Sequence, residues 1–115
     1  MADSIIGMLT MDFAIRVVKL YKYLSEEKKV YIMSKQLLRS GTSIGANVSE
    51  GVYAQSRADF INKMNIALKE ASETEYWITL LYKTEVIDQK AYESLSSDVR
   101  KIIGTLVKIV KSSKS

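Results

Sequence analysis

The chain has 115 residues, 47% hydrophobic and 26% charged, the balance expected of one globular domain over residues 1–115. It contains no histidine, cysteine or proline, which excludes structural and hydrolytic zinc sites, Cys/His and Ser/His/Asp nucleophile systems and disulfide frameworks. Seventeen lysines and arginines against thirteen acids leave a net charge of +4, enough to permit contact with phosphates without demanding it.

With only five glycines and no proline, turn punctuation is sparse, and four long segments carry apolar residues at helical rather than alternating spacing. A first helix is predicted over about 11–24, with Phe13, Val17, Leu20 and Leu24 on one face and Ala14, Val18 and Tyr21 beside them. Residues 25–29 (SEEKK) read as a tight turn in which Ser25 caps a second helix. That helix, about 28–53, presents Val30, Met33, Leu37, Ile44, Val48 and Gly51 at three- and four-residue steps.

Ser56-Arg57-Ala58-Asp59 has the capping-box form, a hydroxyl followed three residues later by a carboxylate, and starts a third helix over about 57–82. Its inward face is Phe60, Met64, Ala67, Ala71, Ile78 and Leu81. Asp88 is placed to cap a fourth helix, about 89–111, whose stripe is Leu95, Val99, Ile102, Ile103, Leu106 and Val110. Four such helices joined by short loops predict an all-α fold, an antiparallel up-down-up-down four-helix bundle. The longest uncharged stretches, 4–11 and 40–49, fall far short of a membrane span. A chain without cysteine and without a basic start at Met1-Ala2-Asp3-Ser4 is expected in the cytoplasm.

Residues 39–51 (RSGTSIGANVSEG) set small and polar residues, three of them glycine, inside what the flanking pattern makes one helix. Each interior glycine costs roughly 0.5–1 kcal/mol against alanine, so Gly41 and Gly45 call for a compensating close approach. Close helix packing is one such approach; a ligand or phosphate against bare backbone is the other, although no strand precedes these glycines as in a P-loop. Arg39, Ser43, Asn47 and Glu50 recur on successive turns of one face, and Glu70, Glu73 and Glu75 on the third helix offer carboxylates to meet Arg39. The expected result is a structural polar network of Arg39, Ser43, Asn47, Glu50, Glu73 and Glu75. A di-iron bundle site needs a Glu-x-x-His pattern, which a chain without histidine lacks. No cofactor or metal site is expected.

Basic residues concentrate on the first and fourth helices. Residues 99–115 hold Arg100, Lys101, Lys108, Lys111 and Lys114 with no acid, and the first helix adds Arg16, Lys19 and Lys22. These are the candidate phosphate contacts, and a lysine stripe is equally what a solvated helix face shows. Val18, Tyr21, Tyr76, Trp77, Leu80, Val107 and Ile109 exceed what a four-helix core requires. They serve either self-association or packing with polar tips at the rim.

Taken together, Gln36-Leu37-Leu38-Arg39-Ser40, Ser43-Ile44-Gly45-Ala46-Asn47 and Glu50-Gly51, then Phe60, Ile66-Ala67-Leu68 and Glu73-Thr74-Glu75, closely resemble the bacterial four helix bundle protein family. That family is also called the 23S rRNA-intervening-sequence or S23 family. The resemblance covers roughly 12–111 and departs at Lys69-Glu70, where many members carry Gly-Ser. It implies antiparallel four-helix bundles assembled into homopentameric rings, with no established catalytic role for the motif residues. A related branch, the accessory proteins of diversity-generating retroelements, is similar in fold and binds nucleic acid and a reverse transcriptase through basic surfaces.

The leading expectation is a non-enzymatic, ring-forming bundle that binds RNA or another nucleic acid through Arg16, Lys19, Lys22, Arg100, Lys101, Lys108 and Lys111. The alternative is a structural or adaptor protein whose ring presents apolar surface to a protein partner.

Overall fold

The structure, a computed structural model, describes residues 3–114. Four helices follow one another: α1 (Asp3–Glu26), α2 (Ile32–Val52), α3 (Arg57–Lys83) and α4 (Gln89–Lys114). They pack up and down in a rod of 44 × 20 × 19 Å, each against its neighbour in the chain, and α4 closes more lightly onto α1. Among the described residues there is no strand.

The core is the set of inward stripes. Phe13, Val17 and Leu24 from α1, Leu37, Ile44 and Val48 from α2, Met64, Ile78 and Leu81 from α3, and Leu95, Val99, Ile102 and Leu106 from α4 are buried together. Ser56 accepts a hydrogen bond from the Asp59 backbone N–H at 3.1 Å, and Asp88 accepts one from Ala91 at 2.8 Å. Each satisfies an amide that the first turn of its helix leaves without a partner.

Two predicted boundaries are corrected. The first helix begins at Asp3 rather than near Met11, because Ile6 and Thr10 continue the buried face of Phe13 and Val17 for two more turns. The second helix begins at Ile32 rather than Lys28. Ser25 belongs to α1, its hydroxyl donating to the Tyr21 carbonyl at 2.8 Å, and does not cap α2. Lys29 then turns left-handed (φ 60°) and the Val30 N–H reaches the Leu24 carbonyl at 2.8 Å. Glu85 does the same after α3 (φ 64°), with the Val86 N–H on the Leu81 carbonyl at 2.9 Å. Both helices therefore end in a left-handed cap built without glycine.

At Gly41 and Gly45 α2 comes close to α1. A Cβ on Gly41 would lie 2.8 Å from Val17 Cγ2 and 2.9 Å from Cγ1, and one on Gly45 would lie 3.3 Å from Thr10 Oγ1. Val17 is β-branched and holds one rotamer in a helix, so it has no room to yield. Close packing, not ligand approach, accounts for these two glycines.

Candidate functional site

An ion pair bridges the seam between α1 and α4. Arg16 Nη1 donates to Asp98 Oδ2 at 2.6 Å, with both side chains about two-fifths exposed. Lys19 and Lys22 follow Arg16 at one-turn intervals on α1; Lys101 follows Asp98 by one turn on α4, and Lys108 comes two turns later. Because the helices run antiparallel, these rows lead away from the Arg16–Asp98 bridge in opposite directions. At 1.5 Å per residue the run from Lys22 to Lys108 is roughly 24 Å long.

Lys19, Lys22, Lys101 and Lys108 are exposed and enter no ion pair among the described residues. Lys111 is exposed on the same helix and has an interaction of its own. The two arginines of the predicted set are already engaged. Arg16 serves Asp98, and Arg100 donates from Nε to Glu75 Oε2 at 3.0 Å on the α3 side, a contact that raises its pKa further.

The polar row of α2 is divided rather than continuous. The Ser43 hydroxyl donates to the Arg39 carbonyl at 2.6 Å and the Asn47 amide to the Ser43 carbonyl at 2.8 Å, so both bond back to their own helix. The Arg39 guanidinium reaches α3, where Nη1 donates to Glu70 at 3.2 Å and Nη2 to Glu73. Glu73 also accepts from the Trp77 indole N–H at 3.0 Å. Arg39 first, and Trp77 second, hold the Glu73 carboxyl below its usual pKa.

Glu50 instead pairs with Lys63 at 2.9 Å, and Glu75 lies on the α4 side of α3 with Arg100. Two residues past Glu73 is a rotation of about 200° on a helix, which is why Glu75 cannot join Arg39. Sequence spacing did not identify Lys63 or Asp98 as partners, because each belongs to a different helix from the charge it meets. The buried polar link between α2 and α3 is a hydroxyl pair instead, with Thr74 Oγ1 2.9 Å from Ser40 Oγ.

An apolar ridge lies on the outer side of α1, and Val18 is the one member of it that the sequence analysis set apart as surplus to the core. Met8, Met11, Ile15 and Val18 are 64%, 61%, 46% and 36% exposed. Their steps of three, four and three are the spacing of a coiled-coil seam. A first helix begun at Met11 leaves out Met8. Beside the ridge an open groove of about 510 Å³ runs between α1 and α2, lined by Gly7, Met11, Ala14, Ala46, Ser49 and Tyr53 among others.

Among the described residues no group of three or more acidic side chains is placed to hold a metal ion, and no helix is long and apolar enough to cross a membrane.

Comparison with known proteins agrees with the four-helix fold. No match is found among curated proteins. A crystal structure at 1.70 Å of a protein with unknown function from the S23 ribosomal protein family of Bacteroides thetaiotaomicron is similar throughout. It is 56% identical, with a TM-score of 0.94, and the match covers 96% of this chain and 99% of that one. The model of the 23S rRNA-intervening sequence protein family matches residues 2–108, nearly the whole of the four-helix rod, and the chain belongs to that family.

Proposed function

We propose that this protein is a non-enzymatic, self-associating bundle that works in the cytoplasm and binds RNA or another nucleic acid through phosphate contacts. The observation that carries this reading is the set of exposed lysines, Lys19, Lys22, Lys101 and Lys108, left without acidic partners beside an arginine bridge that is satisfied. Lysine ammonium groups of this kind release counterions from a phosphate backbone without reading sequence. Arg16 stands in the row bound to Asp98, Lys111 follows Lys108 along α4, and Arg100 turns to Glu75 on the α3 side.

The ridge on α1 supports self-association, in the ring of five that the family resemblance implies. Assembly multiplies a charge of +4 per chain and so strengthens the field that attracts nucleic acid. The same ridge equally suits an adaptor that receives a protein partner, the second reading.

Fluorescence anisotropy of a labelled RNA stem-loop over a salt series tests the first reading. Affinity should fall steeply with salt, and Lys101→Glu with Lys108→Glu should weaken it at least tenfold while light scattering reports an unchanged assembly. Ile15→Glu should reduce the assembly to smaller species with the helical circular-dichroism signal kept. Absence of RNA binding even at low salt would leave the adaptor reading in front.

A further inference from the structure

Building on that phosphate-binding reading, we infer that the basic row takes a single strand of nucleic acid, with an unpaired base stacked on Tyr23 at the end of the row. Proteins that hold single strands combine a basic track for the backbone with exposed aromatic rings for the bases, since every base has a face that stacks. Both parts are present on α1. Tyr21 and Tyr23 flank Lys22 in the chain; Tyr21 is half-buried, whereas Tyr23 is 48% exposed. Tyr23 follows Lys19 by four residues, which makes the two side chains neighbours on successive turns.

Tyr23 also borders a cleft. Between the C-terminal end of α1 and the turn that joins α3 to α4 lies an open space of about 530 Å³, with Leu20, Tyr23 and Lys28 on the α1 side and Tyr82, Asp88 and Gln89 among the residues opposite. Tyr82 is held in place by Tyr92, the two rings nearly parallel at 13° with centroids 4.3 Å apart. The basic row leads to this cleft, because α1 ends and α4 begins at the same end of the rod. Lys108 stands at the far end, Lys101 and the Arg16–Asp98 bridge between, and Lys19 and Lys22 next to Tyr23.

The charges sort phosphate from base. Lysines line the approach, whereas Glu85 and Asp88 lie within the cleft, on the side away from α1. Carboxylates repel phosphate and accept hydrogen bonds from the amino group of a base such as cytosine. Asp88 Oδ1 already accepts from the Ala91 N–H at 2.8 Å, which fixes the direction of that carboxylate. A strand therefore lies with its phosphates on the lysines and a base turned into the cleft against Tyr23. A duplex gains nothing from the ring, because the faces of its bases are closed by their neighbours in the stack.

The test compares a labelled 20-nucleotide oligo-cytidine with a labelled 20-base-pair RNA duplex against the full chain at fixed low salt. Oligo-cytidine should bind at least fivefold more tightly. Tyr23→Ala should weaken it fivefold or more and leave duplex binding unchanged. Tyr23→Leu, which keeps apolar bulk and helix propensity without a planar ring, should do the same, and Tyr23→Phe should restore binding. Tyr53→Ala is the control, since Tyr53 is 83% exposed at the opposite end of the rod and should have no effect. Lys19→Glu with Lys22→Glu should weaken both ligands. A duplex bound as tightly as oligo-cytidine, or oligo-cytidine binding indifferent to loss of the Tyr23 ring or equally sensitive to Tyr53, overturns this inference while leaving phosphate binding in place. No binding to either ligand, or binding of both indifferent to Lys19 and Lys22 and to Lys101 and Lys108, overturns the phosphate-binding reading itself.

Discussion

α2 is pressed between α1 and α3 by small residues and a buried hydroxyl pair, whereas α4 meets α1 lightly through one half-exposed ion pair. The first seam leaves no room for a methyl group at Gly41; the second leaves exposed lysines on both sides of it. Glycine therefore means opposite things on the two helices. At Gly41 it is required by Val17, and at Gly104 nothing within the chain requires it. The tightly packed α1–α2 seam holds the glycines, and the lightly closed α1–α4 seam is flanked by exposed lysines.

The sharpest break of this contrast is Gly41→Ala. The new methyl group meets the rigid Val17 side chain, and the overpacking should cost about 1–3 kcal/mol, outweighing the gain in helix propensity. Urea unfolding measures it, and unchanged stability would show that α1 can shift away from α2. Next, Thr74→Val removes a hydroxyl 2.9 Å from buried Ser40 and should cost about 1 kcal/mol in the same assay.

Arg39→Ala should cost less than about 1 kcal/mol at neutral pH, because its pairs with Glu70 and Glu73 are half exposed. Its clearer signature is in acid. Glu73 has a folded-state pKa below the ordinary value of 4.5, so its contribution is complete above that value and is lost as pH falls through the folded one. The wild-type chain should therefore lose stability below about pH 4.5, and Arg39→Ala should flatten that slope when melting is followed from pH 6 to 3. The smallest effect carries the opposite sign: Gly104→Ala should stabilise by about 0.5–1 kcal/mol, as expected where a Cβ meets only open space. A loss there would reveal a contact between copies at that point.

Much of this was legible in the primary structure. The inward stripes of all four helices, the Ser56 and Asp88 caps and the close approach at Gly41 and Gly45 rest on local periodicity and on the cost of glycine. The left-handed caps at Lys29 and Glu85 gave no such sign, since neither is glycine or asparagine. The early start of α1 was obscured because Ile6 and Thr10 sit in an uncharged run with a wide apolar surround, Ile5, Met8 and Leu9, in which no single face stands out.

The sequence by itself determined where the helices lie and which face of each turns inward, because a helix repeats every 3.6 residues and hydrophobic burial follows that repeat. Only the tertiary structure decided which charges are satisfied. Arg16 and Asp98 are 82 residues apart and Arg39 and Glu73 are 34, and they meet because antiparallel packing sets particular turns of neighbouring helices level with one another. Lys19, Lys22, Lys101 and Lys108 have the same chemistry as Lys63, which pairs with Glu50, yet they enter no ion pair among the described residues. Ion pairing is a matter of a few ångströms between helices, which spacing within one helix does not encode.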